Sequence, residues 1–142
     1  MHSTFQWAVA AVVVTVCVGC SEGQKGGSRV ETFPLTGKVL VDGAPAARLV
    51  VSCHPQSDTG IAYALVGHTN EEGVFSISTY EAGDGLPEGE YKLTFEWPEG
   101  GGFGPPTDKL KGAYSDPKKS EHTVTVTTGE ENDLGTIELT AK

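Results

Sequence analysis

The sequence predicts an all-β fold, an antiparallel sandwich of seven short strands. From Leu35 onward, apolar and polar residues alternate with a period of two almost everywhere. Clusters of Gly, Asp and Asn punctuate the alternating runs at short intervals. No window carries the 3.6-residue apolar stripe of an amphipathic helix. Strands that follow one another without helices pair antiparallel and pack face to face, because a parallel sheet needs crossover connections.

Leu35, Val39 and Val41 alternate with Thr36, Lys38 and Leu40, and Asp42-Gly43 then supplies a strong hairpin signal. Leu49, Val51 and Cys53 alternate with Val50, Ser52 and His54 until Pro55, whose missing N–H ends the ladder. Residues 62–69 form a third strand, and Asn70-Glu71-Glu72-Gly73 turns it into residues 74–80, where Phe75, Ile77 and Thr79 share a face. Residues 90–97 alternate most clearly, with Tyr91, Leu93, Phe95 and Trp97 inward and Lys92, Thr94 and Glu96 outward. Residues 122–127 and 134–139 complete the seven, joined by a polar turn over 128–133. The inward residues are expected to interleave as two faces of one core.

Four stretches carry a family resemblance. Thr36-Gly37-Lys38-Val39-Leu40-Val41-Asp42-Gly43-Ala44-Pro45 resembles the opening hairpin of carboxypeptidase regulatory-like, or transthyretin-like, domains. His68-Thr69-Asn70-Glu71-Glu72-Gly73-Val74-Phe75 is similar to their "T-D-x-x-G-x-F" turn, and Leu86-Pro87-Glu88-Gly89-Glu90-Tyr91-Lys92-Leu93 to their "L-P-x-G-x-Y-x-v" strand entry. The run 108–120, DKLKGAYSDPKKS, resembles a segment of small bacterial lipoproteins built from one such domain. The resemblance covers 36–139 and implies a prealbumin-like Greek-key sandwich serving as an accessory, adhesive or scaffolding module.

The first nineteen residues contain no Asp, Glu, Lys or Arg, and residues 8–18 are apolar apart from Thr15. Eleven residues cannot span a hydrocarbon core, which takes about twenty, but they suit a signal-peptide hydrophobic region. Cys17-Val18-Gly19-Cys20 resembles the lipobox of bacterial lipoproteins, with Cys17 where that family usually carries Leu. The resemblance implies cleavage before Cys20 and a diacylglyceryl anchor on its thiol. The expected organisation is a signal peptide over 1–19, a lipidated Cys20 with a flexible tether over 20–31, and the sandwich over 32–142. The expected location is a cell membrane or outer membrane, with the domain facing periplasm or cell surface.

The net charge of −9 argues against nucleic acid, which requires a basic face, and against adsorption to anionic headgroups beyond the anchor. After cleavage and lipidation, Cys53 is the one ordinary thiol, so no internal disulfide can form and the core must suffice. Cys53 and His54 adjoin on a strand and point to opposite faces, so His54 cannot deprotonate the thiol. His54, His68 and His122 lack short ligand spacing, and Glu71-Glu72 and Glu130-Glu131 lack a calcium-loop pattern. Lys38 and Asn132 are the sensible pair for an isopeptide crosslink, but Lys38 alternates outward, whereas that reaction needs a buried amine. Transthyretin-like enzymes use a Tyr-Arg-Gly-Ser tail or iron held partly by His-x-His. This chain shows neither, nor a Gly-x-Ser-x-Gly elbow. No catalytic residue, metal or cofactor is expected.

Residues 98–121, PEGGGFGPPTDKLKGAYSDPKKSE, form a 24-residue connection where four to six is usual. They hold four of the ten basic residues, Lys109, Lys111, Lys118 and Lys119, together with Phe103 and Tyr114. Two readings stand side by side. Leu110 and Tyr114 tuck back as a cap on the open end of the sandwich, or Phe103, Tyr114 and the lysines contact a partner. The sequence thus points to a lipid-anchored, non-catalytic envelope module for a protein or polysaccharide partner. A purely structural envelope protein and a small-molecule or carbohydrate binder using the 98–121 loop are the alternatives.

Overall fold

The computed structural model describes residues 29–61, 64–100 and 102–141; the expected signal peptide, Cys17, Cys20 and most of the tether lie outside them. The described chain is an all-β sandwich. One sheet holds β1 (Leu35–Val41), β2 (Ala44–Pro45), β5 (Val74–Ser76) and β10 (Asn132–Leu139). The other runs β4 (Leu65–His68), β3 (Val50–Pro55), β6 (Gly89–Glu96), β9 (Thr123–Val126), antiparallel throughout. A small hairpin pairs β7 (Pro98–Glu99) with β8 (Thr107–Asp108).

The seven expected strands correspond to β1, β3, β4, β5, β6, β9 and β10, and the alternation places their faces correctly. Leu35, Val39, Val41, Val51, Cys53, Phe75, Tyr91, Leu93, Phe95, Val124 and Val126 all enter one core. Asp42 and Gly43 both take positive φ, at 51° and 81°, so the β1–β2 hairpin turns with the twist of its strands.

Four features depart from the simple alternating picture. First, β10 runs parallel to β1, so the sandwich is not antiparallel throughout. Second, the β1–β10 register slips where Thr36 faces Asp133 but Lys38 faces Thr136, leaving an extra residue on β10. Gly135, at φ 66°, sits in that bulge, and Leu134 and Ile137 both pack against the core although three positions separate them. Third, the run from Val74 changes sheets: β5 pairs with β1, while Ser78 bridges Val66 of β4. Beyond it, both carboxylate oxygens of Asp84 accept the backbone N–H groups of Thr79, Tyr80 and Glu81, at 2.6–3.0 Å, which curls the chain off the sheet. Fourth, Thr94, expected outward, is only 4% exposed. Its hydroxyl lies 2.9 Å from Nε2 of His54, whose ring covers it on the outer face.

Contact with the domain already begins inside the stretch expected as tether. Arg29 pairs with Glu81 at 3.3 Å, and the Val30 N–H donates to the Tyr80 hydroxyl at 3.1 Å. Phe33 is buried, and its backbone exchanges two hydrogen bonds with Leu86.

The register sets Lys38 against Thr136 and Asn132 against Leu35, so the pair considered for a crosslink is not juxtaposed. Cys53 is fully buried, and burial pushes its thiol up to about 12 from the ordinary 9.0. Burial likewise pushes the Tyr91 phenol up to about 12 from 10.0. Both groups ionise more readily in the unfolded chain, so stability is held below about pH 9 and falls as pH rises toward 12. Cys53 is expected to resist a maleimide reagent in the native state at pH 7 and to react only after denaturation. Cys53→Ser should cost about 1–3 kcal/mol, read by urea unfolding, because a hydroxyl replaces the thiol without an assured partner.

Candidate functional site

The long connection begins where β6 ends, and one side chain organises it. Oδ1 of Asp108 accepts the N–H of Trp97 at 2.8 Å and of Leu110 at 2.9 Å, while Oδ2 accepts that of Gly112 at 2.9 Å. A carboxylate receiving three backbone donors fixes the turn that follows it. The Lys109 N–H completes the clamp by donating to the Trp97 carbonyl at 2.8 Å.

This clamp divides the connection in two. Residues 108–122 are a cap. Leu110 is 0% exposed. Tyr114 is half-buried, its ring edge-on to Phe95 at 6.4 Å, and its carbonyl accepts the Phe95 N–H at 3.0 Å. His122 also stands edge-on to Phe95, at 5.2 Å, and the Ser120 hydroxyl donates to the Leu93 carbonyl. Among the described residues of the other half, the hairpin tip, everything from Gly102 to Thr107 is exposed, and Phe103 fully so.

The six residues expected to contact a partner therefore do not form one surface, although Tyr114 and Lys119 line a common pocket on the cap with Asp116 and His122. Phe103 stands at the tip alone. Tyr114 packs into the cap. Lys109 lies over the Trp97 ring, with Nζ 4.5 Å from the centroid, and pairs with Glu99 at 3.7 Å. Lys111 and Lys118 are exposed on the cap, as is Lys119, whose ammonium lies 4.0 Å from Asp116.

Two residues complete the surface around Lys109. The Trp97 indole N–H donates to the Ala47 carbonyl at 2.9 Å, so the ring is fixed at the end of the sandwich rather than sunk in the core. Arg48 lies beside it, and together with Pro45, Lys109 and Gly100 they line a cleft of about 400 Å³. Trp97 appeared in the sequence as an inward residue of its strand, although its place at the end of that strand was a signal for a rim position. Arg48 carried no signal, because its place beside Trp97 follows from a left-handed backbone conformation (φ 60°) that the sequence pattern does not mark. Among the described residues, no group of three or more His, Cys, Asp or Glu is placed to hold a metal.

No family model matches the chain, and no curated protein matches it. Solved structures resemble it at low identity. An (S)-allantoin synthase aligns over 79% of this chain and 41% of its own length at 16% identity, with a TM-score of 0.46. A 9R-lipoxygenase from Cyanothece aligns over 77% of this chain and 16% of its own, at 13% identity and a TM-score of 0.41. A DUF3823 family protein from Parabacteroides merdae aligns over 79% of this chain and 46% of its own, at 16% identity and a TM-score of 0.40. The chain thus spans less than half the length of each of these three structures.

Proposed function

We propose that this chain is a lipid-anchored, non-catalytic binding module of the bacterial cell envelope, built on a carboxypeptidase regulatory-like domain. The observation that carries the reading is the division of the 98–121 connection. Its second half is committed to the core through Leu110 and Tyr114, whereas the tip projects Phe103 from a hairpin held by Asp108. A bare aromatic beyond a paired hairpin stem suits contact, since the ring offers apolar area with little side-chain freedom to lose. The anchor rests on the lipobox-like Cys17-Val18-Gly19-Cys20, and the domain family on the four motifs between 36 and 120. Burial of Cys53 removes the one thiol that could have served as a nucleophile after processing.

Two measurements test this. The mass of the mature protein from native membranes should show an N-terminal diacylated Cys20; an unmodified Cys20 or retained signal residues would remove the anchor. Retention of the full chain on isolated envelope fragments should fall at least fivefold when 100–106 is replaced by Asn-Gly, with unchanged thermal unfolding. Equal retention would show that the tip is not the contact.

A further inference from the structure

We propose that the cleft between Arg48 and Lys109, floored by Trp97, binds the acid groups of an anionic polysaccharide; this deepens the binding-module reading and rests on it. Three observations converge on that cleft.

The first is charge. In a chain of net charge −9, Arg48, Lys109 and Glu99 line one volume of about 400 Å³, and with Lys109 paired to Glu99 at 3.7 Å the cleft keeps the positive charge of Arg48. Asp108 beside it is engaged by three backbone N–H groups. Arg48 has no ion-pair partner among the described residues. An exposed guanidinium that is planar and unpaired is suited to bidentate capture of a carboxylate or sulfate.

The second is strain held in place. Arg48 has φ 60°, in the left-handed region that a residue with a Cβ rarely adopts. Hydrogen bonds hold the backbone on both sides of it. The buried Thr69 hydroxyl donates to the Ala46 carbonyl and accepts the Leu49 N–H at 2.8 Å. The Arg48 N–H donates to the Thr69 carbonyl at 3.0 Å, and the Ala47 carbonyl takes the Trp97 indole proton at 2.9 Å. Glycine or asparagine would sit there with less strain, so stability alone does not account for an arginine.

The third is position, and it separates a polysaccharide from a lipid headgroup. Val30, Glu31 and Phe33, where the chain arrives from its tether, line a cleft with Pro87 and Glu88 just before β6. Trp97 follows the last residue of β6. The eight residues of that strand put about 26 Å between the two ends at 3.3 Å per residue. Arg48 therefore lies at the opposite end of the sandwich from Val30, Glu31 and Phe33, through which the proposed anchor on Cys20 would attach.

Affinity electrophoresis of the full chain in non-ionic detergent tests the assignment. The gels carry polygalacturonate, dextran sulfate or uncharged dextran, and the competitors are galacturonate trimer and glycerol phosphate. Retardation is expected in both acidic gels and not in dextran, weakening as salt rises. Arg48→Asn should weaken it at least tenfold while leaving the melting temperature unchanged or higher, and Lys109→Gln should weaken it as well. Lys38→Gln, which removes a charge remote from the cleft, should leave it within twofold. Undiminished retardation of Arg48→Asn overturns the site. Equal retardation in dextran overturns the requirement for acid groups. Displacement by glycerol phosphate as effective as by galacturonate trimer overturns the polysaccharide in favour of a headgroup or free phosphate. No retardation in any gel, with envelope retention still dependent on the tip, overturns this inference and leaves the binding-module reading standing.

Discussion

Gly85→Ala is expected to destabilise the domain by about 4 kcal/mol or more, a large part of the 5–15 kcal/mol by which a domain of this size is usually stable. Gly85 has φ 85°, and a Cβ there would overlap the Phe33 carbonyl and lie 2.7 Å from the Cα of Pro34. The left-handed backbone alone costs about 1–2 kcal/mol for alanine. Relieving the overlap also separates Phe33 from Leu86, whose two mutual hydrogen bonds, at 2.8 and 3.0 Å, contribute about 1 kcal/mol each. Both side chains belong to the core, so their displacement adds to the loss. Gly43→Ala is the control. Its φ is 81° but nothing lies within 4 Å of the new methyl, so about 1–2 kcal/mol is expected. Urea unfolding of the two variants should differ by at least 2 kcal/mol, and equal losses would mean that the Phe33–Leu86 bridge does not hold the chain.

Leu110→Ala is expected to cost about 2–5 kcal/mol, because it empties a site that is 0% exposed between the cap and the sandwich. Phe103→Ala, seven positions earlier in the same connection, should stay within about 0.5 kcal/mol, since the ring is fully exposed. In a domain of roughly a hundred residues, the first change lowers the melting temperature by about 10 °C or more. Matching melting temperatures for the two variants would show that the cap is dispensable. Removing all of 98–121 is correspondingly expected to unfold the sandwich, so the tip must be altered without the cap.

The faces of the strands were legible because alternation records which side of a strand is wet. Tyr91, Leu93 and Phe95 in β6 are the clearest instance. Strand partners were not legible, since the same alternation serves either direction of pairing. The parallel match of β1 with β10 therefore appears only in three dimensions. Thr94 faces outward as expected, but its burial was not legible because His54 covers it from the adjacent strand, a contact that no local pattern encodes. The 98–121 connection was recognisable by length and composition, and Leu110 and Tyr114 were readable as capping residues. Where cap gives way to tip was not, because it depends on Asp108, an acid indistinguishable by sequence from the solvated ones around it. The Arg48 cleft was invisible for a related reason: Trp97, Lys109 and Arg48 meet only once the hydrogen bonds of Thr69 and Trp97 have set the backbone of 46–49.

The parallel pairing of β1 with β10 also bears on biogenesis. Asp42-Gly43 lets β1 close its local hairpin soon after synthesis, and β5 follows within a few dozen residues. The other edge of β1 stays open until Asn132–Leu139 has emerged, roughly a hundred residues later, and contacts so distant in sequence form slowly. Until then Val39 and Val41 lack the neighbours Ile137 and Leu139. A nascent chain with that edge unpaired is a substrate for chaperones and for a translocation channel that accepts only extended polypeptide. If the chain is exported as proposed, a first strand that waits for the last delays folding by the geometry of the sheet itself until the membrane is crossed.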